Sequence, residues 1–294
     1  MNFRIIPRLD IKGPNLVKGI HLEGLRVLGR PEDFARHYYE SGADELMYQD
    51  VVASLFERNS LHDIISRTAR ETFIPLTVGG GLRSISDIRD VLRAGADKVS
   101  LNTAAIRRPQ LIREAALSFG SSTIVLSIEA IKEDEGRYLA YIDNGREHTG
   151  VDVLEWAQRA EDLGAGEIFL TSVDREGTGT GLDLELISMV SQSVSIPVIA
   201  HGGAGSAKDC FDAVAQPAEL GTPARLGVPI RQAEGRQQGN AFLFQLLGYG
   251  WRPIVALTGQ YFLGACYKFR HNPPPVNIGG NRAKGRDQPR PIEV

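Results

Sequence analysis

Short apolar runs alternate with amphipathic stretches over the first 216 residues of this chain. The runs, such as Leu76 to Val78, are apolar and rich in β-branched residues, which is typical of strands buried on both faces. One of the stretches between them opens with Ser84 and Asp87, a capping-box-like helix start. This alternation predicts a parallel sheet covered by helices. The predicted strands lie within residues 3–11, 45–50, 76–78, 95–103, 122–129, 167–173 and 197–200, and the predicted helices within 31–42, 59–71, 84–93, 108–118, 152–163, 184–194 and 206–214.

The pattern occurs twice, with an offset of 122 residues. Residues 42–51 return as residues 164–173, and residues 75–81 return as residues 197–203. A repeat this long indicates a duplicated half-domain, because the repeats of solenoid proteins run about 20 to 50 residues. Seven β/α units with such a duplication predict a (β/α)8 barrel, or TIM barrel, built from two half-barrels.

The duplication also predicts the place of an eighth strand, and the sequence there is aberrant. The partner of residues 95–103 should fall near residues 217–225, but that window lacks an apolar run and contains Pro223, which cannot donate to a strand ladder. Residues 253–259 are a candidate replacement strand, although nothing before them resembles the missing helix-to-strand junction. Without an eighth strand, the edges of strands one and seven would be exposed.

Composition changes near residue 217. The chain has 33 Lys and Arg against 36 Asp and Glu, whereas residues 217–294 hold ten against four, so the tail is +6 and residues 1–216 are -9. The tail also holds nine of the 15 prolines. We therefore predict a barrel domain over residues 1–216, with seven of its eight units, and a basic Pro- and Gly-rich tail over residues 217–294. The tail is expected to be partly disordered, and a frame-shifted translation is one explanation for it.

The sequence gives only general indications of the cellular location and of the classes of ligand. Two cysteines, Cys210 and Cys266, indicate no disulfide framework, and the start of the chain does not resemble a signal peptide, which together favour the cytoplasm. The apolar stretch 241–267 is interrupted by Arg252 and Pro253, so we predict no membrane association. We also predict no metal, no cofactor and no nucleic-acid partner.

Two carboxylates end strands at duplicated positions. In (β/α)8 barrels the functional groups lie at the C-terminal ends of the strands. Asp10 ends strand one and Glu129 ends strand five, so the two should face each other across the mouth of the barrel. Such a pair suits general acid and general base work on a substrate between them. The alternative is that each carboxylate caps its own loop, as Asp50 and Asp174 could do at strands two and six.

Glycine turns follow strands three and seven. Residues 79–81 are three glycines, which let an anion approach the backbone N–H groups closely, and Asn102 and Thr103 end the next strand. Gly202 and Gly203 form the equivalent turn half a barrel away. Together the turns predict a substrate with two phosphates, whereas a single turn of this kind would be interpreted as an ordinary strand-to-helix connection. The loop after strand one contains Lys18 and is a candidate lid.

These motifs resemble the cyclase subunits of imidazole glycerol phosphate synthase, which belong to histidine biosynthesis. The resemblance covers residues 3 to about 216. It implies a (β/α)8 barrel that takes ammonia from a glutaminase subunit docked at its N-terminal face, in a heterodimer. It also implies that this ammonia closes an imidazole ring while a bisphosphate substrate is split. The motifs that carry the resemblance are residues 9–12, 17–19, 42–46, 78–81, 95–105, 170–178 and 202–205.

The resemblance implies roles for individual residues. Asp10 matches a catalytic aspartate, Glu129 stands where the family has its second, and Lys18 lies in the mobile first loop. The residues that match the two phosphate sites are Gly81, Asn102 and Thr103 for one, and Gly177 and Gly203 for part of the other. The residues that match a ring of charges through which ammonia passes at the barrel bottom are Arg4, Glu45, Lys98 and Glu167. A structural ion-pair network is the alternative for that ring.

Three departures from the family pattern leave the function open. Glu129 is one methylene longer than the family's aspartate, and catalytic geometry tolerates little misplacement. Arg8 and His201 replace smaller residues at the mouth, and residues 217–294 do not match. Residues 21–29 and 53–60 are more similar to a paralogue found with surface-polysaccharide genes.

Two further functions therefore stand beside a cyclase. One is an ammonia-channelling, glutaminase-activating subunit that serves sugar amidation, with little or no cyclase activity. The other is an isomerase of the sister barrel that shares the substrate. The isomerase is disfavoured, because the four charges of the bottom ring occur together in this sequence.

Overall fold

A computed structural model describes residues 4–53, 61–133, 136–210, 212–213 and 254–257. The strands are β1 (Arg4–Lys12), β2 (Asn15–Ile20), β3 (Glu23–Gly29), β4 (Leu46–Asp50), β5 (Leu76–Gly79), β6 (Lys98–Leu101), β7 (Ile124–Lys132), β8 (Tyr138–Ile142), β9 (Glu147–Asp152), β10 (Glu167–Ser172), β11 (Val198–His201) and β12 (Ile254–Leu257). The helices are α1 (Pro31–Glu40), α2 (His62–Glu71), α3 (Ile85–Ala94), α4 (Thr103–Arg107), α5 (Gln110–Phe119), α6 (Val153–Asp162) and α7 (Leu184–Ser193). Within these ranges, no helix is long and apolar enough to cross a bilayer.

Eight of the strands close into a parallel barrel. Their order is β1, β4, β5, β6, β7, β10, β11 and β12, and β12 returns to β1. Residues Ile254–Leu257 pair with residues 4–7 of β1, and Val255 lies opposite Ala200 of β11. The candidate replacement strand therefore occupies the eighth position, between strands one and seven, and the predicted (β/α)8 barrel is confirmed. The window 217–225 lies outside the described residues, and the domain division at residue 216 and the frame-shift explanation stay predictions.

The strands that carry the two carboxylates both run on beyond the barrel. β1 pairs with β2, and β2 with β3, so the predicted irregular loop after strand one is wrong; the segment is an antiparallel hairpin. β7 pairs in the same way with β8, and β8 with β9. β8 and β9 therefore form a hairpin, and Asp143, Asn144 and Gly145 supply the positive φ that its turn needs.

The duplication is visible in the backbone. Gly80 and Gly202 are 122 residues apart and have nearly equal φ angles of 100° and 98°. A Cβ atom would collide with the carbonyl oxygen of Asp50 at the first position and of Ser172 at the second, and these two residues are also 122 apart. Each half-barrel therefore needs a glycine at the same point, where the turn passes close to the neighbouring strand.

Apolar side chains fill both sides of the sheet. One set packs between sheet and helices and includes Leu9 and Tyr48. A smaller set lies inside the barrel and consists of Ile6, Met47, Val125, Phe169 and Ile199. Because side chains alternate along a strand, every second residue counted from this inner set also faces the barrel interior. That rule fixes which polar residues line the two ends of the barrel.

Candidate active site

The four charges predicted at the barrel bottom form a closed ring. Arg4 pairs with Glu45, and its Nη2 lies 2.9 Å from Oε1 of Glu167. Lys98 Nζ lies 3.2 Å from Oε2 of Glu45 and 2.9 Å from Oε2 of Glu167. Each cation thus contacts both carboxylates, so the ring is electrically balanced and needs no further counter-charge. Passage of ammonia through it stays a prediction.

The two predicted catalytic carboxylates lie at the other end of the interior. Asp10 is in phase with Ile6 of the inner set, and Glu129 is in phase with Val125. Both side chains are buried. Arg8 Nε donates a hydrogen bond of 2.7 Å to Oδ1 of Asp10. The two carboxylates therefore point into one mouth.

The environment of Glu129 suits proton transfer. Burial raises its pKa to about 7, and the charges of Asp143 and Asp10 add to the rise. The charge of Arg8 opposes it, as does the backbone N–H of Gly145, which donates to Oε2 of Glu129 at 2.8 Å. A carboxyl group with a pKa near neutrality can both give and accept a proton at cellular pH.

A cavity of about 240 Å³ opens beside Glu129. Three of the predicted phosphate-binding residues, Gly81, Asn102 and Thr103, line it. Asn102 Nδ2 donates to the carbonyl oxygen of Tyr141 at 3.3 Å, while its Oδ1 has no partner among the described residues. One predicted phosphate cradle and one predicted catalytic group therefore border the same space.

The other predicted site residues do not line this cavity in the described part of the chain. Gly177 has a φ of 73° and lies against the backbone of Gly19 and Ile20 in β2. Gly203 has a φ of 103°, and its carbonyl oxygen accepts a hydrogen bond of 2.8 Å from the N–H of Gly181. These glycines shape the loops after β10 and β11, on the opposite side of the mouth.

Lys18 lies in β2 and forms an ion pair with Glu176, in the loop after β10. Two backbone N–H groups of the hairpin turn also donate hydrogen bonds to Glu176. That of His21 donates to its carbonyl oxygen at 2.9 Å, and that of Leu22 donates to Oε2 at 3.2 Å. Although burial acts to raise the pKa of Glu176, the charge and hydrogen bond of Lys18 lower it below its ordinary value. The hairpin is thus held over the mouth by Glu176, which sequence reasoning missed because its partners are some 150 residues away.

A polar layer lies between the inner apolar set and the mouth, and of its members the family resemblance had placed only Arg8 and His201 at the mouth. Arg8 Cζ lies 5.7 Å from the ring centroid of Phe169, and the ring of His201 lies 5.1 Å from it. Alternation along the strands from Ile6 and Ile199 also places both residues in the interior. Polar atoms of this layer without a hydrogen-bond partner in the described part of the chain are Arg8 Nη2, Gln49 Oε1, Ser100 Oγ, Thr171 Oγ1 and both ring nitrogens of His201.

Comparison with known proteins agrees with the fold. The family model described as histidine biosynthesis protein matches residues 4–221. The imidazole glycerol phosphate synthase subunit HisF of Legionella pneumophila is 59% identical over 208 residues, which are 71% of this chain and 98% of that protein. The same subunit is 47% identical over 210 residues in Alkaliphilus metalliredigens (71% of this chain, 83% of that protein) and 51% identical over 210 residues in Lactococcus lactis subsp. cremoris strain SK11 (71% and 81%). The resemblance predicted from the sequence is confirmed, and the chain belongs to the histidine biosynthesis protein family.

Proposed function

We propose that this protein is a cyclase subunit of imidazole glycerol phosphate synthase. It uses glutaminase-derived ammonia to form imidazole glycerol phosphate and an aminoimidazole carboxamide ribotide from a bisphosphate substrate. The named relatives support this function. The observation that carries it is the placement of Asp10 and Glu129, both buried, at the mouth of one barrel, with Glu129 beside a cavity lined by a glycine turn.

The two carboxylates divide the proton transfers of the reaction. Ring closure by ammonia requires protons to leave the attacking nitrogen and to reach departing groups. Glu129, with a pKa near 7, exchanges such protons readily, and Asp10, held by Arg8, is its counterpart across the mouth. The extra methylene of Glu129 is accommodated by the hydrogen bond from Gly145, which fixes one carboxylate oxygen.

The substrate spans the mouth with a phosphate at each side. One phosphate binds at Gly81, Asn102 and Thr103, and the other binds near Gly177 and Gly203. Lys18 contributes charge over the substrate, because it lies in the hairpin that covers the mouth. Lys18 would then exchange its present partner Glu176 for the substrate.

The glutaminase subunit docks at the N-terminal face of the barrel, and the two chains form a cytoplasmic heterodimer. The ring of Arg4, Glu45, Lys98 and Glu167 lies at that face, so ammonia from the partner would meet it first. From there the interior leads past Phe169 to the carboxylates. This route keeps ammonia away from bulk water.

Replacement of Asp10 by Asn tests the proposal. Consumption of the ribulose-containing bisphosphate should be measured with ammonium salt in place of the glutaminase. We expect the substitution to lower the rate by at least about 10²-fold, since it removes a proton-transfer group. The control is Asp90→Asn on the exposed side of α3, which should retain the rate. An unchanged rate in Asp10→Asn would refute the proposal.

The second candidate function is ammonia delivery for sugar amidation, with activation of the glutaminase. Arg8 favours it, because its guanidinium occupies the mouth and holds Asp10 where the family has a smaller residue. In that case the chain would raise the glutaminase rate of its partner and consume no bisphosphate. Glu129→Asp restores the family's side chain, and a gain of cyclase activity in that variant would support descent from a cyclase.

A further inference from the structure

Arg8 is a buried cation with an unsatisfied end. Its side chain is only 2% exposed, its Nε is engaged by Asp10, and its Nη2 has no partner among the described residues. A guanidinium carries five N–H donors and no acceptor. Burial of such a donor without an acceptor is unfavourable by about 1 to 3 kcal/mol. The missing acceptor is therefore expected to come from a ligand, and it must be an atom with a lone pair, such as oxygen.

His201 presents a second donor in the same place. It ends β11 in phase with Ile199, it is 2% exposed, and neither ring nitrogen has a partner within the described ranges. Burial lowers its pKa well below the ordinary value, and the charges of Arg8 and Lys18 lower it further. The ring is therefore neutral and offers one N–H donor and one acceptor nitrogen.

Both side chains rest on the ring of Phe169, at the floor of the mouth. The charge of Arg8 acts on Glu129 as well as on Asp10, so the donors and both carboxylates share one compartment. A phosphate dianion does not suit this position, because Asp10 already neutralises Arg8 and Glu129 adds a further acid. A single uncharged oxygen that gains negative charge during reaction does suit it.

We propose that Arg8 and His201 bind the carbonyl oxygen that ammonia attacks, and that they stabilise its negative charge as the bond forms. The inference rests on the proposed function and names the group of the substrate that the mouth holds. The lone pair of ammonia forms the new C–N bond, the π pair of the C=O bond moves onto oxygen, and a proton leaves nitrogen for a carboxylate. The resulting alkoxide accepts hydrogen bonds from Arg8 Nη2 and the His201 N–H. Donors placed in this way are worth about 10²- to 10³-fold in rate.

Kinetics with ammonium salt give the first test. Arg8→Met and His201→Leu keep side-chain bulk and remove the donors, and each should lower kcat about 10²-fold with KM changed by less than about threefold. His201→Gln keeps an N–H donor and should retain most of the rate. Guanidinium ion added to Arg8→Ala should restore part of kcat. Retention of kcat within threefold in Arg8→Met would overturn the inference.

Infrared spectroscopy gives a second test that needs no turnover. Ribulose 5-phosphate with a ¹³C-labelled ketone carbon serves as the probe, bound to the full chain without ammonia. Donors at the carbonyl lower its stretching frequency, so the wild-type complex should absorb at lower frequency than the free probe, and Arg8→Met should lose that difference. A wild-type spectrum without the difference would overturn the inference. A wild-type chain that shows it but turns over no bisphosphate would instead count against the cyclase function alone.

Discussion

The two ends of the barrel interior solve the problem of buried polar groups in opposite ways. At the bottom, Arg4, Lys98, Glu45 and Glu167 satisfy one another in a closed ring. Near the mouth, a layer of buried polar atoms lacks partners within the described part of the chain. A group that is satisfied by the protein stabilises the fold, whereas one left unsatisfied lowers stability and gains its partner only when a ligand binds. The bottom is therefore self-sufficient, whereas the mouth is suited to a ligand.

The largest expected effect concerns the bottom ring. Lys98→Met leaves Glu45 and Glu167 with Arg4 as their single cation among the described residues, so a buried negative charge loses its partner. We expect the free energy of unfolding to fall by about 3 kcal/mol, as measured by urea denaturation. Lys208→Met is the matched control, because Lys208 is 76% exposed and pairs with Asp212 on one helix turn. There the change should stay below about 0.5 kcal/mol, and equal losses at both sites would contradict a self-sufficient ring.

The next effect is a pH dependence at the mouth. The pKa of Glu129 is raised from 4.5 to about 7 by burial, so its stabilising effect is complete below pH 4.5 and is lost as the pH rises through 7. Glu129→Gln should therefore gain stability relative to wild type between pH 5 and pH 8, by up to about 3 kcal/mol. Urea denaturation at both pH values measures this.

Glu176 provides the contrast, since Lys18 lowers its pKa despite burial. Its contribution is present above pH 4.5 and is lost as the pH falls through its lowered pKa. Glu176→Gln should accordingly lose most stability relative to wild type at neutral pH and less in acid. If the stability of both variants relative to wild type changed in the same direction with pH, the mouth would not distinguish a carboxylate held in an ion pair from one without an ion pair.

A smaller loss of stability is expected from substitutions that strain the backbone at the mouth. Gly80 combines a φ of 100° with a close approach to Asp50, so Gly80→Ala should lower the free energy of unfolding by about 2 to 3 kcal/mol. Gly120 has a φ of 88°, but among the described residues no heavy atom other than those of its chain neighbours lies within 4 Å of the position that a Cβ would take, so Gly120→Ala should lower the free energy of unfolding by about 1 kcal/mol through backbone strain alone. Thermal or urea denaturation distinguishes the two. Equal losses of stability in the two variants would mean that the turn at Gly80 can accommodate a Cβ atom without a collision.

Much of this architecture could be predicted because the repeat carries it. Glu45 and Glu167 are one repeat apart, as are Gly80 and Gly202, so the glycine turns and half of the bottom ring follow from the duplication. The barrel class follows from the alternation of strands and helices, and the placement of Asp10 and Glu129 at one mouth follows from their positions at the ends of duplicated strands. These features depend on the local hydrophobic pattern and on the internal repeat, both of which can be read directly from the sequence.

The rest depends on contacts between distant segments. The hairpin after β1 was expected to be a loop, because its polar and glycine-bearing sequence shows no sign of the partner strand that β1 offers when it runs on. The ion pair of Lys18 and Glu176 joins residues 158 apart in sequence. The eighth strand has a recognisable apolar run, but its place between β11 and β1 is set by the gap in the barrel.

The smallest expected effect is a gain in stability, and it tests the contrast between the two ends of the barrel most directly. Thr171 is fully buried in the polar layer, and its hydroxyl has no partner among the described residues. Thr171→Val keeps the shape and removes an unsatisfied group, so the free energy of unfolding should rise by about 1 kcal/mol. Thr68→Val is the matched control, since the equally buried hydroxyl of Thr68 lies 2.6 Å from Tyr48 Oη, and its loss should lower stability by about 1 kcal/mol. Opposite signs in urea denaturation would mean that the polar layer is kept for a ligand at the expense of the fold; losses at both sites would mean that Thr171 is already satisfied.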